Sequence, residues 1–184
     1  MINSIKTKII LLLVIVPACF LCDQLTKWLV FGNGDSFIEW LFLFEPAIQN
    51  FESEAIFSFF NVVKVWNFGI SFGMLAQDDG YGQIILILLA SLIATAFTIW
   101  MFFTNVRIIV CAIPILVGGA IGNIWDRIRF DAVADFLDFH VLDFHYPAFN
   151  IADSFVFIAI ALIIYDGVFL EKKREDSSKG KNND

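Results

Sequence analysis

The stretch Asn150-Ile-Ala-Asp-Ser-Phe-Val-Phe-Ile-Ala-Ile-Ala-Leu-Ile-Ile-Tyr-Asp-Gly-Val-Phe-Leu170 decides how the chain is read. It is long enough to cross a bilayer core, which takes about 20 apolar residues, yet Asp153 sits just inside its mouth. An ionisable side chain at such a place is costly and points to function. A first-turn acid favoured by the helix dipole is the plainer reading, and Asn150 suits either a helix cap or a site. A second acid, Asp135 in Val133-Ala-Asp-Phe136, lies a short loop upstream. Two acids able to meet at a membrane boundary suggest acid–base chemistry there.

Working outward, three more stretches are long and apolar enough to span: Ile9–Val30, Gly82–Phe103 and Ile108–Trp125, beside Asn150–Leu170. The expected fold is an all-α polytopic membrane protein with four transmembrane helices. The 184 residues are 59% hydrophobic and 16% aromatic, with mean hydropathy +0.77, too apolar for an ordinary soluble domain. The net charge of −7 excludes nucleic acid as a partner, since phosphate binding needs a basic face. Lys6 and Lys8 before the first span, with Val16-Pro-Ala-Cys19, resemble a cleavable leader. The apolar pattern runs on through Trp28-Leu-Val30, however, which favours a retained helix. Cys19, Cys22 and Cys111 lie in apolar runs and read as small buried hydrophobes.

Lys6, Lys8, Arg107, Lys172, Lys173, Arg174, Lys179 and Lys181 lie in the two tails and the middle loop, against Lys64, Arg127 and Arg129 in the other loops. The positive-inside rule therefore places both termini in the cytoplasm. One four-helix domain is expected over residues 1–170, with an outer loop at 31–81 and a disordered cytoplasmic tail at 171–184. Within that loop Phe59–Trp66 reads as a strand, Asn67-Phe-Gly69 as a turn and Ile70–Met74 as a returning strand, giving a small sheet on the membrane surface.

A rise of about 1.5 Å per residue puts Asp23 roughly 21 Å from the inner end of the first span. Asn123, Asp126 and Arg127 end the third span, and Asn150 and Asp153 begin the fourth. Polar groups from three helices thus fall at one depth and need partners there. Asp23 and Lys27 stand one turn apart and can pair on one face, a structural or positioning role. Asp126 and Arg127 could serve as interfacial anchors. Gly118, Gly119 and Gly122 suit close helix packing. The choice of Asp153's partner stays open among Asp131, Asp135, Asp138 and Asp143, though Asp135 has the most apolar neighbours. Asp138-Phe-His140 and Asp143-Phe-His145 contain metal-ligand types, but no zinc-binding His-Glu-x-x-His helix occurs, and neither metal nor cofactor is expected. A proton or ion relay built on the same acids is the alternative function. It would need polar residues on the inner halves of the spans, which carry only Asp166.

Five pieces stand in the order of a known family: Asp23-Gln-Leu-Thr-Lys27, Asn67-Phe-Gly-Ile-Ser-Phe-Gly73, Gly118-Gly-Ala-Ile-Gly-Asn-Ile-Trp-Asp-Arg127, Val133-Ala-Asp-Phe136 and Phe149-Asn-Ile-Ala-Asp-Ser154. With them the chain resembles the lipoprotein signal peptidases (signal peptidase II), aspartic peptidases of bacterial membranes. The resemblance implies that Asp135 and Asp153 form the catalytic dyad. It also implies that Asp23, Lys27, Asn67, Gly69, Asn123, Asp126, Arg127 and Asn150 bind substrate or support the site. The substrates implied are diacylglyceryl-modified prolipoproteins, cleaved just before the lipidated cysteine near the periplasmic face of an inner membrane. Globomycin-type inhibitors would block the reaction, and a monomer is expected. Ser71 and Ala134 depart from the commoner Ala and Val, and the first outer loop is long for the family.

Overall fold

A computed structural model describes residues 4–45, 52–69, 81–171 and 174. Among the described residues five α-helices and four strands follow one another: α1 (Ile5–Phe31), α2 (Phe37–Phe42), β1 (Glu52–Phe57), β2 (Phe60–Asn67), α3 (Tyr81–Phe103), α4 (Arg107–Phe130), β3 (Val133–Val141), β4 (Phe144–His145) and α5 (Ile151–Tyr165). A π-helical segment, Asp166–Leu170, prolongs α5. Among the described residues four helical stretches are long and apolar enough to cross a membrane: α1, α3, α4 and Ile151–Leu170.

The four spans form where the apolar runs predict them, with ends shifted by a few residues. Ser4 caps α1, its hydroxyl accepting from the Thr7 amide at 3.1 Å. The third span was expected to stop at Trp125. Instead α4 continues to Phe130 and ends on Asp131 in the left-handed conformation, φ 54°. The extra turn survives because Asp126 and Arg129 are buried together rather than released to solvent. Asn150 is the cap of α5 rather than its first residue.

α4 is the central element and contacts α1, α3 and α5. Below its polar end, Val110, Ile113, Leu116 and Val117 join Met101 of α3 and Ala159 of α5 in one apolar cluster. The opposite end of the bundle carries a second cluster in which Phe31, Trp40, Phe130, Ala134 and Phe136 meet.

The sheet differs from its expected plan. The strand read at Phe59–Trp66 falls on β2, but β2 pairs with strands from both outer segments, in the antiparallel order β1-β2-β3-β4. By sequence the Asp-rich segment after α4 reads as loop. It forms β3 because Val65, Trp66 and Asn67 take Asp135, Ala134 and Val133 as partners. Helix α2 was also not foreseen. Its signal is the capping box, Ser36 with Glu39 three residues on, which a six-residue helix gives without a long apolar period. The returning strand proposed at Ile70–Met74 lies outside the described residues. So does most of the tail, of which Glu171 and Arg174 are helical. Arg174 makes two hydrogen bonds of 2.7 Å to the buried Asp166.

Candidate active site

One face of α1 presents Asp23, Gln24 and Lys27, all fully buried. Charges withdrawn from water need partners, and Lys27 Nζ lies 2.7 Å from Asp23 Oδ2 and 2.7 Å from Asp126 Oδ2 of α4. Gln24 donates to Asp126 Oδ1 at 2.9 Å and accepts from Arg129 at 2.6 Å. Arg129 also pairs with Asp126 at 3.1 Å and donates to the Trp40 carbonyl of α2. Two acids and two cations thus cancel inside the fold. Close approach is possible because Gly122 faces the pair: a Cβ there would stand 2.5 Å from Asp23 Oδ2. A Cβ at Gly119 would stand 2.5 Å from the Ala152 carbonyl, and one at Gly118 2.6 Å from Cys19 Cβ and 3.0 Å from the Val16 carbonyl of α1.

Two further bonds of the cluster reach the backbone immediately before Asp153 and Asp135. Asp23 Oδ1 accepts from the Ala152 amide at 3.0 Å. Asp126 Oδ2 accepts from the Ala134 amide at 3.3 Å. Asp153 follows Ala152 and Asp135 follows Ala134, so each acid stands one residue from an anchor held by the same lysine-bridged pair.

Asp135 is buried on β3, and Asp153 is partly exposed in the first turn of α5. Asn67 Nδ2 donates to Asp135 Oδ2 at 3.0 Å, and Asn150 Nδ2 donates to Oδ1 at 2.7 Å. Asp153 Oδ1 accepts from Asn123 at 2.7 Å, and its Oδ2 from the Asn150 backbone amide at 3.2 Å. Asn150 therefore touches both acids, closes the capping box with Asp153, and donates to Asn123 at 3.0 Å. Lys27 reaches Asn123 at 3.3 Å, joining the two networks. Burial raises the Asp135 carboxyl to about 8, and the charge of Asp153 adds to the rise against the hydrogen bonds of Asn67 and Asn150.

The charges of both acids act on Arg127, whose Nη1 donates to the Asn123 carbonyl at 3.3 Å. Gly69 gives its amide to Asn67 Oδ1 at 3.1 Å, which orients the Asn67 side chain toward Asp135. Asp153 opens on a cavity of about 310 Å³ that Tyr146, Phe149, Ser154 and Phe157 also line.

All ten expected positions therefore gather at one end of the bundle. Asp138 lies apart from them, bonded to Asn61 at 2.9 Å and His145 at 2.9 Å. Burial works against its charge, but those bonds prevail and hold the carboxyl below its ordinary range. The paired Asp-Phe-His triplets thus meet as a carboxylate–imidazole contact. Sequence reasoning missed Gln24 and Arg129. Gln24 adjoins Asp23, and Arg129 follows Asp126 at helical i,i+3 spacing, which was the available signal.

The family model described as Signal peptidase (SPase) II matches residues 15–169. Lipoprotein signal peptidase of Shewanella sp. (strain MR-4) is 35% identical over 167 residues, 90% of each chain. That of Sulfurihydrogenibium sp. (strain YO3AOP1) is 39% identical over 136 residues, 72% of this chain and 83% of the relative. A bacterial membrane enzyme solved in meso at 1.9 Å resolution superposes with TM-score 0.65 at 26% identity, covering 90% of this chain and 95% of the other. The chain belongs to the signal peptidase II family, membrane peptidases that remove signal peptides from prolipoproteins.

Proposed function

We propose that the chain is an aspartic endopeptidase that cleaves diacylglyceryl-modified prolipoproteins just before the lipidated cysteine, with Asp135 and Asp153 as the catalytic pair. The observation that carries this reading is Asn150, which hydrogen-bonds to both acids. The carboxyls come from different elements, yet one side chain and its backbone fix them against each other. At neutral pH Asp135 holds the proton, in keeping with its raised carboxyl. Asp153 takes a proton from water as the oxygen attacks the scissile carbonyl, and Asp135 donates to the carbonyl oxygen. The tetrahedral intermediate collapses when Asp153 returns its proton to the departing amine and Asp135 recovers its own. One water is consumed, its OH going to the acyl carbon and its H to the nitrogen. No metal or cofactor enters.

Asn67, Asn123 and Asn150 orient the acids, Gly69 orients Asn67, and Arg127 supplies positive potential beside the pair. Asp23, Lys27 and Asp126 fix the backbones that carry it. Both termini are cytoplasmic and the pair lies near the periplasmic face, where a signal-peptide helix arrives by lateral diffusion. The enzyme works as a monomer. Toward the inner side the bundle is filled by Val110, Ile113, Leu116 and Met101, a poor path for a proton relay.

The test uses a purified diacylglyceryl-modified prolipoprotein in detergent. The wild-type protein releases the shorter product, whereas Asp135→Asn and Asp153→Asn lose at least about 10²-fold in rate, the scale of acid–base catalysis, with unchanged circular dichroism. No product from the wild type would refute the activity. Near-normal turnover by either variant would refute the pair.

A further inference from the structure

The free end of the sheet has a surface that the proteolytic reading does not use. The pairing Phe60↔Phe139, with the His140 amide donating to the Phe59 carbonyl at 3.0 Å, brings the β1–β2 and β3–β4 turns to the same end. That end is strongly apolar. Leu142 is 87% exposed, Phe144 76% and Val141 73%. Phe57 and Phe59 are also exposed, their rings stacked at 5.7 Å. Leu142 holds φ 54° in the β3–β4 turn, a left-handed position that favours Gly or Asn. An apolar branched residue there is a choice of side chain over conformation. Contiguous apolar surface of this kind marks a contact with a partner or a membrane.

Continuity identifies which. Tyr146, just past β4, lines the same 310 Å³ cavity as Phe157 of α5. Phe157 is 73% exposed on a membrane span. It lies seven residues beyond Asn150, roughly 10 Å down the helix axis. The hairpin base therefore flanks the first turns of α5, beside a membrane-spanning surface, instead of standing off above them. Asp143 in the turn and the Asp138–His145 pair behind it limit the depth to the headgroup boundary, where an apolar face can insert a few ångströms while charges stay wet.

We propose that the β1–β2 and β3–β4 turns insert into the headgroup boundary of the leaflet on the acid-pair side, anchoring the sheet to bilayer lipid. The sheet is then held at both ends, by the buried Ala134 amide at one and by lipid at the other. This inference is independent of which bond the enzyme cleaves.

The test places a single cysteine at Leu142 (Leu142→Cys), in a background with Cys19, Cys22 and Cys111 changed to Ala. It is labelled with an environment-sensitive nitrobenzoxadiazole dye, and the full chain is put into nanodiscs of phosphatidylethanolamine and phosphatidylglycerol. Asp35→Cys is the reference, and Phe144→Cys repeats the measurement if the first variant folds poorly. Lipid spin-labelled near the headgroup should quench the Leu142 label at least threefold more than the Asp35 label, and aqueous iodide should quench it less. Equal iodide access at both sites without lipid quenching would overturn the proposal. Shielding from iodide without lipid quenching would also overturn it, marking a protein partner or a second copy on this surface.

Discussion

Replacing Lys27 by Met tests how the acid pair is held. Lys27 is fully buried, with Nζ 2.7 Å from one oxygen each of Asp23 and Asp126. Such a contact gives on the order of 4 kcal/mol at an effective dielectric of about 20, and two give about 8. Desolvation of the ammonium offsets several of these, so removing the cation from a buried cluster costs about 3–5 kcal/mol. The lysine-free cluster holds Asp23 and Asp126 against Arg129 alone. Asp126→Asn errs the other way, leaving Lys27 and Arg129 against Asp23. Each single variant carries one uncompensated buried charge, and the double variant carries none. The double variant should therefore lose at least about 2 kcal/mol less than the sum of the singles, a coupling expected only for groups in direct contact. The measurement is a double-mutant cycle of unfolding free energies in mixed micelles titrated with denaturing detergent. Additivity within about 0.5 kcal/mol would refute the argument, because it would mean that the cluster's charges do not depend on one another. Processing should fall in both single variants, since the Ala152 and Ala134 amides lose firm anchors.

Three further outcomes follow from the same geometry. Activity should fall as pH rises through about 8, because Asp135 must keep its proton and its carboxyl is raised to about that value; a rate still climbing well above that pH would refute the assignment. The sign for stability is parallel: a raised carboxyl costs nothing below its ordinary value of 3.8 and destabilises the fold progressively from there toward about 8. Asn67→Ala removes a 3.0 Å bond that favours the ionised form of Asp135. The alkaline limb of the pH–rate profile should move upward and the rate fall about tenfold, as for one charge-assisted hydrogen bond. Gly122→Ala pushes a methyl to 2.5 Å from Asp23 Oδ2 and 3.3 Å from Ala152 Cβ. It should lower stability by about 1–3 kcal/mol, the scale of overpacking, in the same detergent titration, whereas Gly167→Ala, with open space at the methyl position, should change little.

The spans were legible because about 20 apolar residues between charged ends have few alternatives to a membrane helix. The meeting of Asp23, Asn123, Asp126 and Asn150 was legible from depth alone, since equal depth on three helices leaves polar groups one another as partners. The partner of Asp153 was not legible that way. Residues 131–145 hold Asp131, Asp135, Asp138 and Asp143 at similar distance along the chain. What distinguishes them is a pairing across the sheet, Val65 opposite Asp135, that local pattern does not specify. Gln24 and Arg129 escaped for a related reason. Arg129 reads as a loop cation while α4 is thought to stop at Trp125. It becomes an interior group only once the helix runs on and Trp40 supplies its carbonyl. Helix ends therefore carried the largest error, and polar residues beyond those ends inherited it.

The division of labour between the two polar groups explains why so many charges are kept in an apolar fold. Helices in lipid lack the hydrophobic force that would press them together in water, so small residues and polar contacts set their separation. Gly118, Gly119 and Gly122 let α1, α4 and α5 approach, but glycine contacts alone leave sliding along the helix axis weakly opposed. Lys27 removes that freedom. Its 2.7 Å contact with Asp126 ties α1 to α4, its 2.7 Å contact with Asp23 holds a second carboxylate from its own helix, and the two carboxylates also take the amides of Ala152 and Ala134. An axial slip of one helix by a single residue, about 1.5 Å, would stretch one of these bonds beyond hydrogen-bonding length. It would also separate Asn150 from Asp135. The neutral cluster thus sets the spacing of the acid pair without joining it, and substitutions there should degrade rate and stability together. Substitutions at Asp135 or Asp153 should remove rate while leaving the bundle folded.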